Sequence, residues 1–303
     1  MTALVTGGSG MVGPRLLRLL DRPTVLSRNP DRARRSIGGL AGRIIGWDPL
    51  AGPPPAEAFE GVDAVFHLAG ESVAERRWSA AQKARIRDSR VIGTRNLVQG
   101  LRQAGTKPGV LVSASAVGYY GDRGEEELTE SAAPARDFLA DVCVAWEREA
   151  MAAEEVGVRV VTERTGIVLG PGGALAKMLT PFKLGAGGPL GNGRQWMPWI
   201  HVDDLARLYV HAADRASIRG PMNAVAPNPV RNSEFTKALG RQLRRPAFMP
   251  APYIGLQIVF GEFAQVLFAS QRVIPRVAID TGFQFQYPEI AAALKEILSP
   301  AAA

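Results

Sequence analysis

The sequence predicts an α/β fold, a doubly wound parallel sheet with a smaller, mainly helical C-terminal domain, and three observations carry that prediction. Short apolar runs of strand length recur from residue 2 to Gly170 and alternate with segments of helical periodicity. No hairpin-type turn joins neighbouring runs, so consecutive strands are expected to be parallel and linked by crossover helices. The first run passes directly into a glycine-rich turn and a helix, the order in which such sheets open around an anion.

The chain has 303 residues, 46% of them hydrophobic, enough for a full core and two lobes. The expected division is residues 1–172 as the cofactor-binding domain, with 201–226 packing back on it, and 173–303 as a smaller substrate or lid domain. No apolar or Arg-rich leader precedes the first strand, so a cytoplasmic location is expected. A lone cysteine, Cys143, forms no internal disulfide and fits a reducing compartment. The net charge of +7 is spread over scattered arginines without an aromatic-interleaved stripe, which argues against a nucleic-acid partner. The one long apolar run, 251–269, is interrupted by Gln257, Glu262 and Gln265 and is too polar and short to span a membrane. Its Phe260, Phe263 and Phe268 are expected to pack internally or against a second subunit, leaving monomer and homodimer open.

In the first turn Gly7, Gly10 and Gly13 stand in the spacing G-x-x-G-x-x-G, and the helix continues through Leu16, Leu17, Leu19 and Leu20. Glycines let the backbone turn sharply and approach a pyrophosphate, while the helix start turns unpaired N–H groups toward it. The fold this predicts is Rossmann-like. The second strand, from Pro23, ends in Ser27-Arg28, where an acidic residue would select NAD through the ribose 2′-hydroxyl. A hydroxyl and a guanidinium suit a 2′-phosphate instead, so the expected cofactor is NADP. Arg34 and Arg35 read as a solvated helix face. A third strand spans Arg43 to Trp47, with Asp48 near the expected adenine edge. The fourth, Asp63 to Gly70, is apolar as a strand covered on both faces should be, and its small end lets a ribose pass close to Leu68, Ala69 and Gly70. His67 inside it reads as a satisfied core residue.

A long helical pattern from Ser79 to Gln103 follows, then a fifth strand from Gly109 to Ser115 that runs into Ala-Val-Gly-Tyr-Tyr-Gly121. Alternation puts Ser113 and Ser115 on one face. Ser115, Tyr119 and Tyr120 are therefore the candidate catalytic residues, because an open parallel sheet keeps its reacting groups at the carboxyl edge of its strands. An acidic loop, Glu125 to Glu130, leads to a helix over about 135–156 and a sixth strand over Val158 to Gly170. Gly173 to Trp199 reads as a lid, with Trp196, Met197, Pro198 and Trp199 either walling the substrate or simply packing. Asp203 or Asp204 is expected to cap the next helix rather than bind metal, since no third ligand is spaced with His201. Pro221 to Val225 reads as a returning strand, and helices are expected over Glu234 to Leu243, after Pro252, and over Pro288 to Leu298.

Several of these segments resemble the extended short-chain dehydrogenase/reductases: the Thr6 to Gly13 turn, His67 to Glu71, Ser113 to Gly121 and Trp199 to Asp204. More narrowly, Ala69-Gly-Glu71, Arg77-Trp78, Ser89-Arg90, Trp146-Glu147, Arg164 to Gly170, Gly187 to Gly193 and Gly282 to Pro288 resemble the atypical, epimerase-like branch, the YfcH-like sugar-nucleotide epimerases. The resemblance covers nearly the whole chain. It implies NADP at Gly7, Gly10, Met11, Val12 and Gly13 (pyrophosphate), at Ser27 and Arg28 (2′-phosphate) and along Leu68 and Ala69 (ribose). It also implies Arg90 on the cofactor side of its helix and Val168 near the nicotinamide, and it carries no secure substrate beyond a small molecule, sugar or nucleotide-sugar.

One departure from that family pattern bears on chemistry. Extended reductases carry Tyr-x-x-x-Lys after the fifth strand, a phenol for proton exchange and a lysine that lowers its pKa. Here the matching segment is Cys143-Val-Ala-Trp-Glu147, with both catalytic types replaced. Glu147 opposes thiolate formation at Cys143, which reads as a small buried residue, and Trp146 reads as core. The expected function is an NADP-dependent oxidoreductase or epimerase with an atypical active site. Its alternative is a non-catalytic NADPH-binding regulator or scaffold.

Overall fold

The computed structural model describes residues 1–299. The chain runs β1 (Ala3–Thr6), α1 (Gly13–Leu17), β2 (Thr24–Ser27), α2 (Pro30–Ile37), β3 (Arg43–Gly46), β4 (Ala64–His67), α3 (Ala80–Gln103), β5 (Val110–Ala116), β6 (Glu127–Leu128) and α4 (Phe138–Met151). It continues through β7 (Arg159–Thr165), β8 (Ile167–Leu169), α5 (Gly173–Lys183), β9 (Trp196–Met197), β10 (Trp199–His201), α6 (Val202–Asp214), β11 (Gly220–Ala224), β12 (Val230–Arg231) and α7 (Asn232–Leu243). The last elements are α8 (Tyr253–Phe260), α9 (Ala264–Phe268), β13 (Arg272–Val273), α10 (Arg276–Asp280) and α11 (Ile290–Ile297). Seven strands form a parallel sheet in the order β11-β7-β5-β4-β1-β2-β3, the doubly wound topology expected.

Period-two alternation builds both faces of this sheet from the same short strands. Leu4, Val65, Leu111 and Val160 face α3 and α4, where they pack with Leu97, Leu101 and Ala150. Their chain neighbours Val5, Phe66, Val112 and Val161 face α1 and α6, with Leu16, Leu205 and Tyr209. Because α6 and β11 join this core, residues 202–224 pack back onto the parallel sheet. A separate apolar cluster, centred on Leu175, Phe182, Trp199, Phe235, Leu239 and Leu294, holds the C-terminal helices together.

Three expectations change. The sixth strand is not continuous: Gly166 separates β7, in the main sheet, from β8, which pairs with β10 instead. A Cβ at Gly166 would lie 2.7 Å from the Pro198 carbonyl oxygen, so the chain turns away where that backbone crosses. The acidic loop contains β6, which pairs with β13 and ties the first lobe to the C-terminal region. The cap of α6 is His201, whose Nδ1 accepts from Asp203 N–H at 3.1 Å, and neither aspartate takes that role. Asp204 is buried and accepts from the Gln286 and Tyr287 N–H groups, each at 2.8 Å, while Asp203 pairs with Arg15 at 3.4 Å.

Candidate active site

The glycine turn is built for close approach. Gly7 has φ +72, and a Cβ there would meet the Leu68 carbonyl carbon at 2.8 Å; at Gly13 it would lie 2.1 Å from the Gly8 oxygen. The Gly10 N–H closes the turn onto Gly7 O at 3.0 Å. α1 starts without a side-chain cap and with no acidic residue in its first turn, which leaves its N–H groups for an anion. Met11 and Val12 sit half-buried on this turn, and Met11 packs against Gly173 at the head of α5. These residues fit a dinucleotide pyrophosphate.

Beneath the turn, His67 accepts or donates at 2.7 Å to Thr6 Oγ1 and at 2.9 Å to Thr94 Oγ1. Thr6 Oγ1 also accepts from Ala69 N–H at 3.2 Å, so the ends of β1 and β4 are tied side by side. Burial pushes the His67 imidazole down to about 4, which keeps it neutral and structural. Arg90 reaches from α3 across Gly70 to donate to Glu71 O at 2.9 Å, with its guanidinium over the Trp146 ring at 5.0 Å. At the end of β2 the Ser27 hydroxyl donates within its own turn to Asn29 O at 3.2 Å. Arg28 is exposed and has no partner among the described residues. Asp48 accepts from Leu50 N–H at 3.0 Å, closing its own turn. Val168 lies half-buried on β8 opposite Ile200.

Across the sheet edge the structure brings together five side chains, from β5, the turn that follows it, α4 and β7. Ser115 and Arg164 are register partners on β5 and β7 and point to the α4 face. Ser115 Oγ donates to Glu147 Oε1 at 2.7 Å, and Arg164 clamps the same carboxylate with Nε and Nη2, each at 2.8 Å. Arg164 Nη1 donates to the Tyr120 hydroxyl at 3.0 Å and to Glu130 O at 3.1 Å, and its guanidinium lies 3.5 Å from the centre of the Tyr119 ring. The sequence reading missed Arg164 as a site residue. The clue was available: a strand covered on both faces should not carry Glu163 and Arg164 unless each has a place to go.

Tyr120 leaves the candidate set. It is fully buried, its hydroxyl donates to Asn223 Oδ1 at 2.7 Å, and burial pushes the phenol up to about 12. Tyr119 is half-buried and its hydroxyl has no partner among the described residues. Cys143 is the small buried residue expected: burial, reinforced by Glu147, pushes its thiol up to about 12. Trp146 is core, and so are Met197, Pro198 and Trp199. Trp196 is a half-buried exception, lying between the guanidinium groups of Arg231 at 4.3 Å and Arg272 at 5.2 Å.

Comparison with known proteins agrees with this architecture. The profile described as the NAD dependent epimerase/dehydratase family matches residues 3–224. The chain belongs to that family. A second profile, the domain of unknown function DUF1731, matches residues 251–297. Among the family's members, the chain is 36% identical to the epimerase family protein YfhF of Bacillus subtilis, over 99% of this chain and 98% of that one. The crystal structure of the human epimerase family protein SDR39U1 (isoform 2) with NADPH superposes with a TM-score of 0.86 at 37% identity, covering 98% of this chain and 99% of that one. A nucleoside-diphosphate sugar epimerase from Corynebacterium glutamicum superposes with a TM-score of 0.78 at 36% identity, covering 98% of this chain and 58% of that one.

His201, Asp203 and Glu296 present three ligand-type atoms within 4.8 Å of one another, and Glu296 is the third partner that spacing did not reveal. Hydrogen bonds account for the group. His201 Nδ1 accepts from a backbone N–H, so its Nε2–H donates to Glu296 at 2.9 Å. No described helix is long and apolar enough to cross a membrane.

Proposed function

We propose that this protein binds NADPH at the glycine turn and moves hydride between the cofactor and a carbinol or carbonyl carbon of a small molecule, as an oxidoreductase or a nucleotide-sugar epimerase. In this reading Gly7, Gly10, Met11, Val12 and Gly13 hold the pyrophosphate and Ser27 with Arg28 the 2′-phosphate. Leu68, Ala69 and Gly70 pass the ribose, Arg90 lies on the cofactor side of its helix, and Val168 lies near the nicotinamide. The human relative bound to NADPH and the fit of the turn to an anion support the cofactor. The bound nicotinamide would supply the hydride donor or acceptor.

The observation that carries the reaction is the Ser115–Glu147–Arg164 array. Because the Ser115 proton is committed to Glu147, its oxygen is left as an acceptor, suited to a substrate hydroxyl. A hydroxyl proton passed to Ser115 Oγ would be matched by the serine proton passing to Glu147 Oε1, so no charge accumulates on the serine. Arg164 spends its donors on Glu147, Tyr120 and Glu130 and acts as a positioning residue. Tyr119 supplies a second hydroxyl from the same edge. Residues 173–303, apart from 201–226, form the substrate-side lobe in this scheme, and the single buried thiol suits the cytoplasm.

A second reading, an NADPH-holding regulator without turnover, is favoured by the buried, unreactive Cys143, which heads the segment that the sequence reading sets against the family's Tyr-x-x-x-Lys. The test incubates the protein with NADPH deuterated at the transferable position and a small-molecule extract, then looks for deuterated products by mass spectrometry. Transfer by the native protein that is lost in Ser115→Ala supports the enzyme; no transfer from either face of the cofactor leaves the regulator.

A further inference from the structure

A cavity with a volume of about 390 Å³ lies between the loop after β4, the first turns of α5 and the end of α8. Its walls are Ala74 to Arg77, Lys177, and Val259, Phe260 and Phe263. Three of these residues are cations and one, Glu75, is an anion. Arg76 and Arg77 have no hydrogen-bonded or ionic partner among the described residues, in contrast to nearby Lys83, which pairs with Glu262. Lys177 Nζ donates to Ala74 O at 2.6 Å, which aims the ammonium at this loop and leaves it two further donors.

The opposite wall is apolar and braced from behind. Trp78 packs against Phe263 at 5.5 Å and against Phe138 at 5.2 Å, and its Nε1–H donates to Val73 O at 2.8 Å. Phe260 lies against Phe263 at 6.5 Å. Both the loop and α5 start at the cofactor turn: the loop leaves β4 past Gly70, and α5 begins at Gly173 against Met11. Lys177 is four residues further along the helix, about 6 Å beyond that contact. The lining contains three cations, the Glu75 carboxylate and hydrocarbon, with no amide or hydroxyl side chain.

We propose that this cavity holds the anionic end of the substrate, a phosphate monoester or carboxylate on an apolar body, with Arg76, Arg77 and Lys177 on the anion and Phe260 and Phe263 against the body. Guanidinium groups match the oxygens of either anion, and Arg76 and Arg77, exposed at the cavity without an ionic partner among the described residues, have donors free for it beside an aromatic wall. The proposal names the substrate class for the NADPH-dependent reading above and rests on it.

The test reads binding rather than turnover. Protein carrying 5-fluorotryptophan is titrated, in the presence of NADPH, with phenyl phosphate, benzoate, inorganic phosphate and benzyl alcohol. The Trp78 fluorine resonance, assigned through Trp78→Phe, is followed because its ring backs Phe263. Phenyl phosphate or benzoate is expected to bind at least about tenfold more tightly than benzyl alcohol, and whichever binds more tightly identifies the anion. Arg76→Gln/Arg77→Gln is expected to lose about tenfold or more in affinity for that probe, and Phe260→Ala to bind it more weakly while leaving inorganic phosphate unchanged. No saturable shift with either aryl anion below about 10 mM, or affinity unaltered by the double variant, overturns the proposal. NADPH affinity is measured on the same samples. Loss of NADPH binding with the aryl anion still bound defeats the cofactor reading alone, whereas intact NADPH binding without the anion defeats this cavity alone.

Discussion

Replacing Arg164 by Met should destabilise the fold far more than replacing both members of its ion pair. The Glu147 carboxylate is largely buried and takes three charge-assisted bonds, two from Arg164 at 2.8 Å and one from Ser115 at 2.7 Å. Arg164→Met removes two of them and leaves a desolvated anion beside an apolar side chain, a loss of about 3–5 kcal/mol. It also takes a donor from the Tyr120 hydroxyl and from Glu130 O. Arg164→Met/Glu147→Leu removes both charges together, and apolar replacements of buried pairs fall near neutral in stability, so most of the loss should be recovered. Urea unfolding of the native protein, both single variants and the double variant forms a cycle with an expected coupling of about 3 kcal/mol or more. In a chain of this size, 3–5 kcal/mol corresponds to a Tm decrease on the order of 10 °C for the arginine variant. Single losses that simply add in the double variant would refute the clamp.

Three further outcomes follow from the same interior. His67 is neutral when folded, with a pKa lowered from 6.5 to about 4, so the unfolded chain binds its proton first and stability falls as pH drops through that window. The contribution is about 3 kcal/mol, and His67→Asn should flatten the pH dependence of the urea midpoint there. Glu163 has the opposite sign: burial raises its pKa well above 4.5, both carboxyl oxygens lack partners among the described residues, and stability is lost as pH rises above 4.5. Glu163→Met should therefore raise the urea midpoint at about pH 8 and lose that advantage near pH 4.5. Gly13→Ala places a methyl 2.1 Å from Gly8 O, and overpacking of about 1–3 kcal/mol with loss of NADPH binding should appear together in thermal and fluorescence titrations.

The sheet was legible because most of its strands are apolar runs too short for a helix, closed by glycine or polar residues and alternating with segments of helical period. The glycine turn was legible for a related reason: its spacing reflects backbone contact, which only glycine permits at positions 7 and 13. The break at Gly166 was not, since Ile167 to Leu169 continue the apolar run and only the crossing of Pro198 from elsewhere in the chain interrupts it. Two-residue pairings such as β6 with β13 carry no pattern, and they exist because distant segments meet. Arg164 is the instructive miss at the site. Family pattern directed attention to the helix that carries Cys143 and Glu147, while the guanidinium that clamps Glu147 comes from the neighbouring strand. Helix and strand are adjacent only after the sheet has closed. Asp204 shows the same limit, since its partners lie 82 and 83 residues further on.

Cofactor selection tests the account most directly. NADPH and NADH are titrated by fluorescence against the native protein and Arg28→Ala. One charge-assisted contact to the 2′-phosphate is worth about 1.5–3 kcal/mol, so native protein should favour NADPH by about tenfold or more. The variant should lose that preference with its NADH affinity unchanged. Equal affinity of the native protein for the two cofactors, or an unchanged preference in Arg28→Ala, would contradict the assignment of this turn and strand end to NADP.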